Sequence, residues 1–545
     1  MTQLSKLQIR AKVLSVISEI KTLRNFNEDA IAKYKSELEQ ISDKKALFDI
    51  FLKEFVKMQE AEYIFSACLL KEIVPEEYIN SKVLEELKSS SLSDEYKYKL
   101  VQLLRITGGT DNFSEIPSYF DNPEEILDLE TKKLLEKAVV NPEAMLDFLD
   151  FVSAVSQNDR HLLLNSLSQD YTGDELANII YPILYSGFDD SFILDCVKIL
   201  INSRSSLAIA PFEYLIKTSN NEDIVNNCRL GLKQLKLAGA SKENADKYFN
   251  NIIKDSSPAE FFTTIPDGAG NQALLISRVT SKGKYHLSAV VINDVSGIID
   301  CFGFYNISPD ELYRVIDKFY QTEGKYKVPA EYAKTKIQTA VDITIKQKRK
   351  FPYEFICWNV LLNDVNLMAD SLENIISKKS SAVNISKDEI LTLLTKDFTL
   401  RWFISPSEND VIKKMVDVFY NMSDIDISFI NQEIKNKFNT IFDDNSSNIW
   451  QSRLYNLIYL LQENSYSNEA DCFYTIVKNN EYFNLFKYVL IQRSIFNHFI
   501  SLRELCKESL LATNIFRKKN LNEQKHDIKK IDNLIKLMKK SWIDG

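Results

Sequence analysis

Glycine and proline are scarce, with 13 and 12 in 545 residues, about half or less of the usual roughly 7% and 5%. That shortage works against all-β sandwiches and barrels, which need these residues at many turns, and favours long helices. Cysteine is also sparse. The seven (Cys68, Cys196, Cys228, Cys301, Cys357, Cys472 and Cys506) are scattered and odd in number, so neither a disulfide framework nor a close-spaced zinc site is expected, and reduced core thiols fit best. Four histidines, His161, His286, His498 and His526, form no H-E-x-x-H or H-x-H pattern, which gives no reason to expect a metal or any other cofactor. No apolar run approaches the roughly 18 residues of a membrane span, and the polar N-terminus lacks the continuous apolar stretch of a signal peptide. A cytoplasmic protein with no membrane partner is therefore expected. Nucleophile elbows, P-loops and kinase signatures are missing too.

What is present is ordinary globular composition: 45% hydrophobic, 26% charged, net charge -9. An acidic total argues against a surface that coats nucleic acid as a whole, while leaving room for a local basic patch. Frequent Lys, Asn, Ile and Tyr fit an AT-rich, bacterial-like genome and say nothing of function.

From residue 1 to 257 apolar positions recur at helical spacing, as in Val13, Val16, Ile17, Ile20 and Leu23. Helix starts are expected at Asn27-Glu28-Asp29, Pro75-Glu76-Glu77, Ser93-Asp94-Glu95, Asn122-Pro123-Glu124-Glu125 and Asn141-Pro142-Glu143. In the last two a capping Asn precedes Pro at the first helical position and acids occupy the first turn.

The stretch from about 170 to 239 reads as one helix pair written twice. Asp174–Ser186, a turn at Gly187-Phe188-Asp189-Asp190 and Ser191–Leu200 are followed by Ser206–Lys217, a turn at Asn220-Asn221-Glu222-Asp223 and Ile224–Leu232. Each copy has Pro in its first helix (Pro182, Pro211), an acidic turn and a Cys in its second helix (Cys196, Cys228). This resembles the HEAT repeat in its shorter variant, although Cys stands where Ala is usual and the basic residue after the turn Asp is missing. The resemblance implies an α-solenoid whose stacked pairs present an extended binding surface.

The pattern changes at 259–304, which holds five of the 13 glycines and turns β-branched and aromatic. Strands are expected at 260–265, 272–279, 285–292 and 297–302, in antiparallel hairpins because the links are short. A helix from Ser308-Pro309-Asp310-Glu311 onward, with Leu312, Val315, Ile316, Phe319 and Tyr320 apolar, would cover one face. Beyond 329 the chain reads as helices at 329–349, 353–363, 387–395, 407–421, 428–441, 447–463, 466–478, 482–515 with a break, and 520–542. The expected fold is thus mainly α. It has an α-solenoid-like region over 1–257, a small antiparallel α+β module over 258–324 and an all-helical region over 325–545.

Candidate sites are few. Gly268-Ala269-Gly270-Asn271-Gln272-Ala273 matches G-x-G-x-x-A, but a strand follows it where a dinucleotide fold needs a helix, so a hairpin turn is expected. His286, with Asp294 and Asp300, is the titratable candidate for chemistry; the plainer reading is a half-buried strand residue and turn-forming acids. Lys325 to Lys350 carries eight basic and two acidic residues, and Arg517 to Lys540 nine and three. These could be solvated helix faces or a phosphate-binding patch centred on Lys346, Lys348, Arg349 and Lys350.

Three functions follow. The first is a non-catalytic scaffold or adaptor that binds another protein through its repeats, with the α+β module as a second recognition element. The second is nucleic-acid binding through 325–350 and 517–540. The third is an enzyme with its site in 259–304, which requires His286 and either Asp294 or Asp300 in one pocket.

Overall fold

The computed structural model describes residues 6–23, 28–55, 57–89, 92–108, 118–139, 141–321, 324–394, 397–407, 409–422, 426–516 and 528–538. Within it the chain is mainly helical, with one five-stranded antiparallel sheet near the middle. It divides into two compact units, 1–134 and 135–545, so the expected boundaries at 257 and 324 both fall inside the second.

The first unit contains α1 (Lys6–Ile20), α2 (Glu28–Glu39), α3 (Lys44–Phe55), α4 (Glu60–Ile73), α5 (Glu76–Leu87) and α6 (Asp94–Thr107). Each turns an apolar stripe inward, and Val13, Ile20, Phe48, Phe51, Leu70 and Leu100 join one core. Ser93 caps α6 by accepting the Tyr96 N–H. α7 (Pro123–Ala138) runs across the boundary between the units.

The second unit opens with α8 (Pro142–Ala154), α9 (Gln157–Asp170), α10 (Gly173–Ile180), α11 (Asp190–Ser203), α12 (Ile209–Thr218), α13 (Glu222–Leu237) and α14 (Lys242–Ile252). Asn141 caps α8 as expected, accepting the Glu143 N–H at 2.9 Å. The N-terminal ends of α9, α11 and α13 also touch sideways. Gln157 Nε2 donates to Asp189 at 3.3 Å, and Asn221 Nδ2 donates to Asp190 at 2.8 Å. Asp189 and Asn221 themselves cap α11 and α13. A polar ladder with a step near 32 residues therefore links α9, α11 and α13. Cys196 and Cys228, at matching places in α11 and α13, are both fully buried.

The sheet comprises β1 (Ser256–Thr263), β2 (Asn271–Thr280), β3 (Tyr285–Asn293), β4 (Gly297–Ile307) and β5 (Tyr326–Lys327) in the order β4-β3-β2-β1-β5. The first four are the expected meander. β5, only two residues long, carries no periodicity for a sequence to show. Side chains alternate between faces. On one face Leu275 and Leu287 pack with Phe262 beneath Leu312, Ile316 and Tyr320 of α15 (Pro309–Phe319) and its flank. α15 begins with a capping box between Ser308 and Glu311.

The opposite face is covered from further along the chain by α16 (Ala330–Lys346), which packs on β1 through β4, and by α17 (Tyr353–Trp358), which packs on β4. β4 starts hard against α16. A Cβ on Gly297, whose φ is 85°, would come within 2.1 Å of Thr344 Oγ1. That hydroxyl accepts the buried Ile298 N–H at 2.8 Å and donates to Ala340 O at 2.8 Å.

The remainder is α18 (Leu372–Lys379), α19 (Lys387–Leu394), α20 (Asp410–Asn421), α21 (Ile427–Ile441), α22 (Asp444–Glu463), α23 (Ser467–Lys478) and α24 (Asn480–Phe516), with helix again at 528–538. The expected break within 482–515 is absent, since α24 is continuous and holds no Pro or Gly to interrupt it. α18 was not anticipated from the sequence. The rest of the expected helix 520–542 lies outside the described residues. No helix among the described residues is long and apolar enough to cross a membrane.

Candidate functional site

The residues that an enzyme site in the α+β module would need together do not converge. Register pairs His286 with Arg278 and Asp300 with Val291. His286 and Val291 are five apart on β3, so His286 faces α16 and α17 while Asp300 faces the other side, where it is exposed. Asp294 follows the far end of β3, about 26 Å from His286 at roughly 3.3 Å per residue. The pocket that an enzyme built on His286 and either acid requires is therefore not formed by these side chains.

Each has a local role instead. His286, 7% exposed, stacks on Tyr305 with centroids 4.1 Å apart, and its Nδ1 accepts the Asn306 N–H at 3.1 Å. That bond requires the neutral ring. Burial, reinforced by the Arg278 charge, lowers its pKa to about 4. Arg278 is itself fully buried and committed, donating to Asp364 at 2.6 and 2.9 Å and to Ser256 O and Leu361 O. Asp294 is held by Arg453 of α22 at 2.6 and 2.9 Å.

The glycine-rich segment is the β1–β2 hairpin turn, as expected. Gly270 N–H donates to Asp267 O, and Asp267 Oδ1 accepts the Asn271 N–H. Beside it Trp402 Nε1 donates to Pro266 O at 2.6 Å. These loops border a cleft of about 950 Å³ whose walls include Asp267, Tyr326, Phe398, Arg401 and Tyr466.

The basic segment after α16 divides in two. Arg349 is structural: its guanidinium donates to Ser296 O, and its carbonyl accepts the Tyr214 hydroxyl. Lys346 is exposed. Lys348 and Lys350 reach over the repeat-like helices, where their ammonium groups find Asn220 Oδ1 and Gly187 O, each at 3.4 Å, and no carboxylate among the described residues. They rim a groove of about 620 Å³ floored by Tyr185, Phe188, Tyr214 and Leu215. Tyr185 and Tyr214 lie with their rings 4.7 Å apart. The sequence displayed the lysines but not these aromatics, whose helical spacing is also that of core residues. Upstream, Lys325 and Lys327 are taken by Asp317 and Glu260, which breaks up the basic run. Most of the second basic stretch, 517–527 and 539–540, lies outside the described residues, as does His526.

His161 pairs with Asp195 at 3.0 Å, and His498 lines a separate cavity with Asp417. Among the described residues no group of His, Cys, Asp or Glu could hold a metal ion. All seven cysteines are free thiols. Burial pushes Cys228 and Cys301 up to about 12, which keeps them protonated and unreactive at neutral pH. No family model, no curated protein and no solved structure matches the chain.

Proposed function

We propose that the protein works by protein-protein interaction, holding an acidic, partly apolar segment of a partner in the groove between the HEAT-like helix pairs and Lys348 and Lys350. One observation carries this reading: two ammonium groups that pair with no carboxylate among the described residues rim a concavity of about 620 Å³ whose walls include Tyr185, Phe188 and Tyr214 and a single acid, Asp190. Phe188 and the edges of the buried Tyr185 and Tyr214 offer apolar contact and the lysines favour acidic neighbours. The lateral ladder of helix caps supports a repeat scaffold, whose purpose is exposed surface rather than chemistry. Nucleic acid suits the basic segment less well, because Lys325 and Lys327 of that run are spent on ion pairs and the Arg349 guanidinium on Ser296 O.

The test uses full-length protein and a short labelled peptide alternating Glu and Leu. K348E/K350E, which spares the structural Arg349, is expected to weaken binding about tenfold at low salt, with a smaller loss at high salt. Equal affinity for both proteins removes the groove from the reading. Binding of an oligonucleotide that is lost in K348E/K350E, with no peptide binding by either protein, replaces the partner protein with nucleic acid.

A further inference from the structure

A second, smaller cavity lies between β2, the β3–β4 turn, α16 and α22. It measures about 120 Å³, and its walls include Gly270, Gln272, Asp294, Lys336, Arg453 and Asn456. An apolar engineered cavity of comparable size, about 150 Å³, accepts benzene, so only a molecule of a few heavy atoms fits. Its charged groups are Asp294, Lys336 and Arg453. Both oxygens of Asp294 are held by Arg453, through Nε at 2.6 Å and Nη2 at 2.9 Å. Arg453 also donates to Gly268 O at 2.7 Å. The pair is closed and neutral.

Lys336 is left over. Its position on α16 borders the buried stripe of Tyr332, Ala333, Ile337 and Ala340, which draws the stem inward. Among the described residues the half-buried ammonium makes no hydrogen bond or ion pair, and it lies 5.8 Å from the centre of the Tyr332 ring. The Tyr332 hydroxyl offers it nothing, since it accepts from Gln272 and donates to Asn456. At the mouth, Ser452 is exposed and its hydroxyl makes no hydrogen bond among the described residues. Of the five guanidinium N–H groups, Arg453 commits three to Asp294 and Gly268. The walls therefore present unused donors and two cations, Lys336 and Arg453, against one carboxylate, whose two oxygens each already accept from Arg453. A partly desolvated ammonium in such a place is stabilised in its charged form by a partner of opposite sign.

We infer that this cavity binds a small oxyanion, no larger than phosphate, sulfate or a two- or three-carbon carboxylate, through the Lys336 ammonium and the Ser452 hydroxyl. The site is separate from the basic groove and stands whether or not the groove binds a peptide. Desolvation lowers the Lys336 pKa to about 8, with Asp294 opposing the shift. Asp294 from the β3–β4 turn, Arg453 from α22 and Tyr332 from α16 itself are the charged and titratable groups placed around it. Since Lys336 loses its charge as pH rises through about 8, binding should fall over that range.

Sulfate is the probe, because its charge is constant over this range. Titrated calorimetrically into the full-length protein at fixed ionic strength, it should bind about tenfold more weakly at pH 9 than at pH 7, as the protonated fraction of Lys336 falls from about nine tenths to about one tenth. K336M should abolish binding, K336R should retain it within a few-fold, and phosphate and acetate, but not citrate, should compete. Sulfate binding by folded K336M, affinity independent of pH, or competition by citrate overturns the assignment. Should K336M not fold, S452A at the exposed mouth is expected to weaken binding a few-fold, and unchanged affinity overturns the site. K348E/K350E must leave sulfate binding intact; its loss there moves the anion to the groove and overturns the cavity as its place.

Discussion

His286 shows how burial turns a candidate catalytic residue into a pH-sensitive structural one. Its Nδ1 accepts a backbone N–H and its ring is stacked on Tyr305, so protonation removes an acceptor and places a charge beside Arg278. The folded-state pKa of about 4 lies below the unfolded value near 6.5. The folded state thus resists the proton that the unfolded chain takes up. Above pH 6.5 both states are neutral and the residue costs nothing; as pH falls from 6.5 towards 4 stability is lost, by about 3 kcal/mol at most. In H286Q, whose amide oxygen can still accept from Asn306, this component should vanish. Denaturant midpoints of the two proteins should run parallel from pH 8 to 7 and converge, or cross, by pH 4. Parallel curves down to pH 4 would show that His286 titrates normally.

The same residue marks the limit of reading a site from sequence. His286, Asp294 and Asp300 are close along the chain, but strand alternation and strand length separate them, and both depend on register. Lys336 was legible only as one charge in a basic run. Nothing local distinguishes a lysine that faces a cavity from one that faces water, because the walls come from β2 and α22, some 60 and 120 positions away.

At the scale of elements the sequence was far more informative. Capping residues at Ser93, Asn141 and Ser308 mark helix starts found in the structure, because capping is satisfied within a few residues. The β meander was legible for the same reason, its hairpin links being short. What escaped were β5, α18 and the continuity of α24, each set by packing or by length rather than by a local signal.

The contact between β4 and α16 is likewise tertiary, and it rests on one hydroxyl. Thr344 Oγ1 satisfies the buried Ile298 N–H while returning its own proton to Ala340 O. T344V keeps the shape but leaves that N–H unpaired, at an expected cost of about 1–3 kcal/mol. T344S, with the hydroxyl restored, should recover most of it. Chemical denaturation of the three proteins measures both differences; a T344V as stable as the parent would mean that Ile298 N–H finds another acceptor.

For the molecule as a whole, the glycine-rich window resembles an inserted module, yet its sheet is built to be covered from elsewhere. One face receives α15 from within 258–324. The other is closed by α16 and α17, and its polar residues reach still further. Arg278 binds Asp364, Gln272 exchanges hydrogen bonds with Tyr332 and Asn456, and Pro266 O accepts from Trp402. Excised as 258–324, the module would expose Leu274, Ile276, Val290 and Ile292 and leave buried polar groups without partners, a double penalty that a domain of this size has little core to offset. The fragment is expected to give a collapsed amide spectrum and no cooperative unfolding, whereas the compact unit 135–545 should unfold in one transition. A dispersed spectrum from 258–324 alone would show instead that α15 and the meander suffice, and that the long-range arginine and glutamine contacts fasten a finished domain rather than complete one.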